Sequence, residues 1–324
     1  MNEPCDLSIV VPVRDAEPHL RSLVAAFLGT PGVACELILV DDASIDGSAE
    51  TLRELEAAHR EVTALSLPQH GGAGVARNVG FARVSGRYTL FFDADDIVHP
   101  DVITTAVTLL DQTSADLVMT PYRYRRGTPD DHEEMHPPDL LIWEEYLGQA
   151  HHRVSRLADV PRLLEFTNFP WNKILRTQTY RAVGLRFGET PVHNDILGHW
   201  YSLLAADRIV LLNEVLCTHI VQSVGRNLTN RQSRVRLALM DALDETYDTL
   251  LRSSPDTRHR FAAHYWDFAI RTARWANDRI SPEYRPEFGL RLHDHLMRID
   301  LGDFARIRRQ NPTLADAIVA KSLS

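Results

Sequence analysis

The chain has 324 residues, of which 44% are hydrophobic and 24% charged, and a formal net charge of −9. These proportions describe an ordinary globular protein with room for one large domain and a smaller one. The acidic balance argues against a general nucleic-acid binder. Cys5, Cys35 and Cys217 are widely spaced and odd in number. They form neither a disulfide framework nor a zinc set, and suit a reducing cytoplasm. No basic-then-apolar leader opens the sequence, and no run reaches the ~20 apolar residues of a membrane span. The expectation is a cytoplasmic protein without a transmembrane segment, attached at most to the inner face of a membrane.

In chain order, Leu7–Val13 reads as a first strand, with Pro12 expected to end it. Leu20, Leu23, Val24 and Phe27 follow at helical spacing, stopped by Gly29, Pro31 and Gly32. Glu36–Val40 is a second strand that ends in Asp41-Asp42-Ala43-Ser44, and Asp46-Gly47-Ser48 opens the next helix. Val62–Leu67 is a third strand. It leads through Gly71, Gly72 and Gly74 into a helix carrying Arg77 and Asn78. Tyr88–Phe92 is apolar without alternation, so it reads as a strand buried on both faces. It stops at Asp93, Asp95 and Asp96, three carboxylates within four positions. Such a cluster calls for an offsetting charge, and a hard divalent cation, Mg²⁺ or Mn²⁺, supplies it through oxygen ligands. A solvated acidic turn with Asp96 capping the next helix is the plainer alternative.

A helix over Asp101–Asp111 and a strand over Asp116–Thr120 complete a β-α repeat that argues for a parallel sheet covered by helices. Residues 122–160 read as an irregular, polar excursion at the sheet edge. Asp195–Ala205 has helical periodicity and places Asp195 in a first turn, where the helix dipole favours a carboxylate. Arg208–Leu212 reads as a further strand, followed by a linker with Arg226, Arg231, Arg234 and Arg236. These arginines are either solvated or line a groove for an anionic acceptor. From Val235 onward four helices are expected and no strand. The aromatic positions there, Trp275 among them, read as core or as a subunit contact.

Four segments in this order resemble the family-2 glycosyltransferases with a GT-A fold: Ser8-Ile9-Val10-Val11-Pro12-Val13, Val40-Asp41-Asp42-Ala43-Ser44, Ala76-Arg77-Asn78-Val79-Gly80 and Phe92-Asp93-Ala94-Asp95-Asp96. Trp171-Asn172-Lys173-Ile174 and Asn194-Asp195 extend the resemblance to about residue 220. It implies a Rossmann-like, mainly parallel α/β sheet with helices on both faces, plus a C-terminal all-α module. It also implies a UDP-sugar donor, a divalent cation and inversion at the anomeric carbon. By the same resemblance Pro12, Val13 and Asp42 line the uracil and ribose pocket, and Arg77, Asp93, Ala94 and Asp95 lie along the diphosphate. Asp95 is the direct metal ligand with Asp96 beside it, and Asp195 is the general base. Two positions depart from the family pattern. Asn194 stands where Glu usually precedes the base, and Arg14-Asp15 stands where Tyr-Asn is frequent.

The tail, with Arg258-His259-Arg260-Phe261-Ala262 and Leu314-Ala315-Asp316-Ala317-Ile318, resembles that of wall teichoic acid β-N-acetylglucosaminyltransferases, which implies a homotrimer. The division expected is a catalytic domain over 1–222, a linker over 223–234 and a helical module over 235–324 for acceptor binding or oligomerisation. The activity expected is transfer of N-acetylglucosamine or another hexose to an acceptor hydroxyl. A cell-wall glycopolymer such as teichoic acid is the first acceptor considered, and a natural product or glycolipid the alternative. A nucleotidyltransferase is disfavoured because Val13-Arg14-Asp15-Ala16-Glu17 lacks the glycine- and lysine-rich phosphate loop. A catalytically silent sugar-nucleotide binder is disfavoured because Asp95 and Asp195 are both present.

Overall fold

The computed structural model describes residues 5–126, 132–221 and 233–322. The first half alternates as read: β1 (Leu7–Val13), α1 (Glu17–Leu28), β2 (Cys35–Asp41), α2 (Ser48–Ala58), β3 (Val62–Ser66), α3 (Ala73–Phe81) and β4 (Tyr88–Phe91). Leu20, Leu23, Val24 and Phe27 are the buried side of α1. After a two-residue β5 (Ile97–Val98) come α4 (Pro100–Thr113) and β6 (Leu117–Met119).

Pro12 does not end β1. It pairs with Val40 of β2, while the ladder to β4 stops at Val10 and Phe91. A residue without an N–H is tolerated there because one flank of the strand is already open.

Residues 122–160 are ordered wherever they are described, contrary to the irregular excursion expected. They form β7 (Tyr122–Arg126), β8 (His132–Glu133), α5 (Pro137–Tyr146) and β9 (His152–Ser155). Pro137-Pro138 is a helix start rather than a loop, since proline suits the first helical turn. β9 escapes a hydrophobicity reading because it is a mostly exposed strand of His, Arg, Val and Ser. The chain continues through β10 (Lys173–Arg176), α6 (Thr177–Val183), α7 (Asp195–Ala205), β11 (Ile209–Leu212) and β12 (Cys217–Val221). β12 lies at the end of the expected catalytic domain, just before the expected linker, where no strand was read.

The main sheet has eight strands in the order β3-β2-β1-β4-β10-β6-β11-β9. It is parallel except for β10, antiparallel to β4 and β6, and β9, antiparallel to β11. The chain runs outward from β1 through β2 to β3 and then returns to the other side of β1 as β4. Such a switch point leaves a crevice at the strand C-termini. A smaller sheet, β5-β12-β7-β8, stands beside that crevice.

The C-terminal part is all helical: α8 (Ala238–Arg252), α9 (Pro255–Asn277), α10 (Arg285–Leu296), α11 (Leu301–Gln310) and α12 (Pro312–Ser322). Five helices appear in place of four, because Met297 and Ile299 lie in the turn after α10 rather than inside a helix. Trp200 of α7 meets Tyr265 and Phe268 of α9 at 5.3 and 5.6 Å between ring centroids. The apolar core is therefore continuous from Leu7 to Ile318. Burying aromatics of this size contributes roughly 1.5–3 kcal/mol each, which fixes the helices against the sheet. No helix among the described residues is long and apolar enough to cross a membrane.

Candidate active site

The site assembles where β1, β2, β4 and β10 meet the start of α7. At the outer rim, the ends of β1 and β2 grip one another. The Arg14 guanidinium donates to the carbonyls of Asp42 (2.5 Å) and Ala43 (3.1 Å), and the Ile45 amide donates to Asp15 (2.7 Å). Asp15 and Ala43 have φ of 49° and 54°, conformations that cost non-glycine residues about 1–3 kcal/mol. The cross-links hold that strain and fix the rim's shape. Pro12 is half-buried there, and Val13, fully buried, accepts the Asp42 amide through its carbonyl (2.8 Å).

Asp42 is buried and its carboxylate accepts from the amides of Gly71 (2.6 Å) and Gly72 (2.9 Å) and contacts His70 Nδ1 (2.7 Å). Its immediate task is to hold the glycine loop that opens α3. Gly72 has φ of 90°, so the turn needs a glycine. Gly74 has no room for a side chain, since a Cβ there would lie 1.9 Å from the Gly188 carbonyl. The lack of that methyl lets α3 approach the loop leading to Asn194.

Arg77 ties the site together. It is buried, donates to Asp93 (2.7 Å) and to the Asn194 side chain (2.9 Å), and lies over the Phe187 ring at 5.2 Å. One guanidinium thus joins the end of β4 to the residue before Asp195. The resemblance puts Arg77 along the diphosphate, and here its guanidinium holds Asp93.

The four acidic side chains differ. Asp93 is partly exposed and paired. Ala94 between them is buried. Asp95 makes no side-chain hydrogen bond or ion pair among the described residues. Burial, with Asp96 and Asp93 adding repulsion, pushes its carboxyl up to about 6. Asp96 neither caps a helix nor faces an open cavity. Its side chain is fully buried, contacts His219 Nδ1 at 2.8 and 3.0 Å and accepts the Ile220 amide (2.9 Å). Asp195 is partly buried in the first turn of α7, and burial raises it to about 6 against the opposing pull of Arg77. Asp93 and Lys173 also act on it. Lys173 is buried and donates to the Phe169 carbonyl (2.7 Å) and the Asn172 side chain (2.6 Å). Burial lowers its ammonium to about 7.

His219 is a candidate that sequence reading missed, because no element was expected between the strand over Arg208–Leu212 and the linker over 223–234. Burial opposes its charge, yet the hydrogen bond and field of Asp96 leave it raised. Its ring stacks on Trp171 (5.9 Å between centroids, 26° between planes). A carboxylate on Nδ1 is the usual support of a metal-binding imidazole, leaving Nε2 as the ligand atom. No group of three His, Cys, Asp or Glu side chains among the described residues forms a complete cation cage. A cation that keeps most of its shell for substrate phosphates needs no such cage. Asp95, underpaired among like charges, and His219 fit that use. Asp96 fits better as the support of His219 than as a ligand. Arg226 and Arg231 lie outside the described residues, Arg234 pairs with Glu287 (3.0 Å), and Arg236 is buried against Trp275.

Comparison with known proteins shows the family and the fold. The family model for glycosyl transferase family 2 matches residues 8–181, just over half of the chain. The glycosyltransferase GlyA of Streptococcus pneumoniae is 23% identical over 245 residues, 74% of this chain but 34% of GlyA. The poly(ribitol-phosphate) β-N-acetylglucosaminyltransferase TarS of Staphylococcus aureus is 26% identical over 143 residues, 42% of this chain and 24% of TarS. The chain therefore spans about a third or less of these relatives' length. The crystal structure of TarS residues 1–349 in complex with UDP-GlcNAc superposes with a TM-score of 0.74 at 18% identity, covering 98% of this chain and 88% of that one. The mannosyltransferase PcManGT of Pyrobaculum calidifontis, in complex with GDP-Man and Mn²⁺, superposes with a TM-score of 0.56 at 15% identity, covering 99% and 87%. Both show a shared fold, the GT-A arrangement with, for TarS, the helical region included.

Proposed function

Because the chain belongs to glycosyl transferase family 2, we propose that it is an inverting enzyme that moves N-acetylglucosamine, or another hexose, from a UDP-sugar to an acceptor hydroxyl. The acceptor proposed is a phosphate-bearing surface glycopolymer of the teichoic acid kind. The observation that carries the reading is the Arg77 bridge, which fixes the acidic end of β4 against the helix start that bears Asp195. A departing diphosphate and an attacking hydroxyl need charged groups on opposite sides of one sugar. This bridge ties the two sets together.

In the mechanism proposed, Asp195 accepts the acceptor's proton as the hydroxyl oxygen bonds to the anomeric carbon. The bond from that carbon to the diphosphate breaks in the same displacement, and the nucleoside diphosphate leaves. One displacement inverts the centre, so no covalent intermediate is required. Asp95 and His219 would hold the cation, with Asp96 orienting the imidazole. A bound Mg²⁺ or Mn²⁺ supplies charge neutralisation to the leaving group. Arg77 keeps Asp93 in place beside it. Pro12, Val13 and the clamped rim of β1 and β2 would shape the uracil and ribose pocket.

A thermal-shift screen tests the donor. UDP-GlcNAc with Mn²⁺ should raise the melting temperature, since a ligand at 100 times its Kd adds about 2.7 kcal/mol to the folded state. No response to any UDP-sugar, or release of pyrophosphate instead of UDP in turnover, would end this reading.

Catalysis is assigned to residues 1–222 and acceptor binding or self-association to 235–324. Leu290 and Met297, seven residues apart on or just beyond α10, are 69% and 64% exposed, and Leu301 is 83% exposed. Such apolar side chains suit a contact between copies. Light scattering should give a mass above the monomer, and a trimer is the state proposed. A monomer at micromolar concentration would remove this assignment.

A further inference from the structure

Asn194 stands directly before Asp195, and both ends of its amide are engaged inside the protein. The residue is 6% exposed. Its Oδ1 accepts from Arg77 (2.9 Å) and its Nδ2 donates to the Thr190 carbonyl (3.4 Å). Its own carbonyl accepts the Gly188 amide (2.9 Å). The loop closed in this way is also fixed at its start, where Asn78 exchanges two hydrogen bonds with the Phe187 backbone (2.8 and 3.0 Å). Gly74 of α3 lies so close that a Cβ there would be 2.9 Å from the Cβ of Asn194. An amide accepts in one direction and donates in the other, which neither a carboxylate nor an ammonium does. An aspartate would keep the bond from Arg77 but set an oxygen against the Thr190 carbonyl. A longer acid would overfill the space beside α3.

The charge count at this point is equally specific. The Arg77 guanidinium is buried, pairs with one carboxylate, Asp93, and has an Nε–H that meets no acceptor among the described residues. A carboxylate at position 194 would overcompensate that cation. It would also add negative charge one guanidinium away from Asp93, beside which the mechanism above puts the donor's diphosphate. Like charges facing one another in a site of low dielectric cost affinity. Resting on the donor reading above, we propose that Asn194 is a positioning residue: its neutral amide ties the start of α7 to Arg77 and so orients Asp195, without setting a further carboxylate beside the diphosphate. Base placement then depends on the hydrogen bonds of this side chain, and donor affinity on its lack of charge.

Two variants of the full chain separate these contributions. Each is titrated in saturating Mn²⁺ with UDP and with uridine, a probe that lacks the phosphates, and is assayed for UDP release from a UDP-sugar. Asn194→Asp adds the charge, so it should weaken UDP about tenfold and change uridine by no more than about twofold. Asn194→Ala removes the tether and adds no charge, so it should lower kcat about tenfold at an unchanged KM for the UDP-sugar. Melting temperatures are read beside these values, because a lost loop contact alone lowers stability without splitting kcat from KM. Unchanged UDP affinity in Asn194→Asp, or equal losses there for UDP and uridine, would overturn the proposal. So would a wild-type kcat in Asn194→Ala, or a rise in its KM as large as the loss of UDP affinity in Asn194→Asp. If Asn194→Asp does not fold, kcat and KM of Asn194→Ala decide the matter. Wild-type binding of UDP with any of these contrary results leaves the donor reading standing. If the wild type binds no UDP, the donor reading fails and this proposal with it.

Discussion

Asp195→Asn is expected to reduce transfer by about 10²–10⁴-fold while changing UDP-sugar affinity by no more than about twofold. Asparagine keeps the shape of the first turn of α7 but cannot accept the acceptor's proton. Rates measured by UDP release, beside calorimetric titration of the donor, separate the two effects. Parallel loss of binding and rate would make Asp195 a structural cap instead. The pH dependence follows from the same side chain. Burial raises its carboxyl to about 6, and only the ionised form is a base. The wild-type rate should therefore fall about tenfold per pH unit below 6, and the residual rate of the variant should not. Stability carries the opposite sign. A carboxyl whose folded pKa lies above its ordinary 3.8 binds its proton more tightly in the folded chain. The stability this confers is fully present below the ordinary value and gone above about 6. At pH 7 to 8 the ionised, partly buried carboxylate is thus a cost, and Asp195→Asn should melt higher than wild type. That gap should close toward pH 4. A variant that is less stable at neutral pH would show that the surroundings of Asp195 favour its charge.

The parts of this architecture that were legible in the sequence are those where local pattern and tertiary position agree. Leu20, Leu23, Val24 and Phe27 lie on one helical face and are buried together. Tyr88–Phe91 is buried at every position because both its faces are covered. The ends of such strands are rims, so the carboxylates after β2 and β4 could be placed before any coordinates. What stayed hidden depends on partners distant in sequence. The direction of β10 is set by its neighbours β4 and β6, and nothing in Lys173–Arg176 records it. β12 has a mixed face, Cys217 and Thr218 buried and His219 half-buried, because it serves a small sheet at the rim. The pairing of His219 with Asp96 spans 123 residues and leaves no trace in spacing. Equally, the three acids after β4 look alike in the sequence. They part company only when Arg77 takes one, His219 takes another and Asp95 is left between them.

That division of labour makes the strongest contrast available between neighbouring residues. Asp95→Ala should lower turnover by about 10²–10³-fold and abolish the extra thermal stabilisation that Mn²⁺ gives with UDP-sugar. Chelation of the wild type should reproduce both effects, and added Mn²⁺ should reverse them only where Asp95 is intact. The fold itself should tolerate the change, because Asp95 supports no other side chain among the described residues and its ionised form is disfavoured by burial and by Asp96. Asp96→Ala should behave differently. It removes the acceptor that meets His219 and the Ile220 amide inside a buried site. Breaking such a pair costs about 3–5 kcal/mol, so this variant should melt well below wild type even without ligands. Its loss of Mn²⁺ response should follow from an imidazole no longer held in one tautomer. His219→Gln should then match Asp95→Ala in metal response, because both remove a ligand. If Asp96→Ala keeps its stability and alone loses Mn²⁺, the cation sits on Asp96 and the imidazole is only its neighbour. If all three variants respond to Mn²⁺ as wild type does, the acidic rim serves some purpose other than holding a cation.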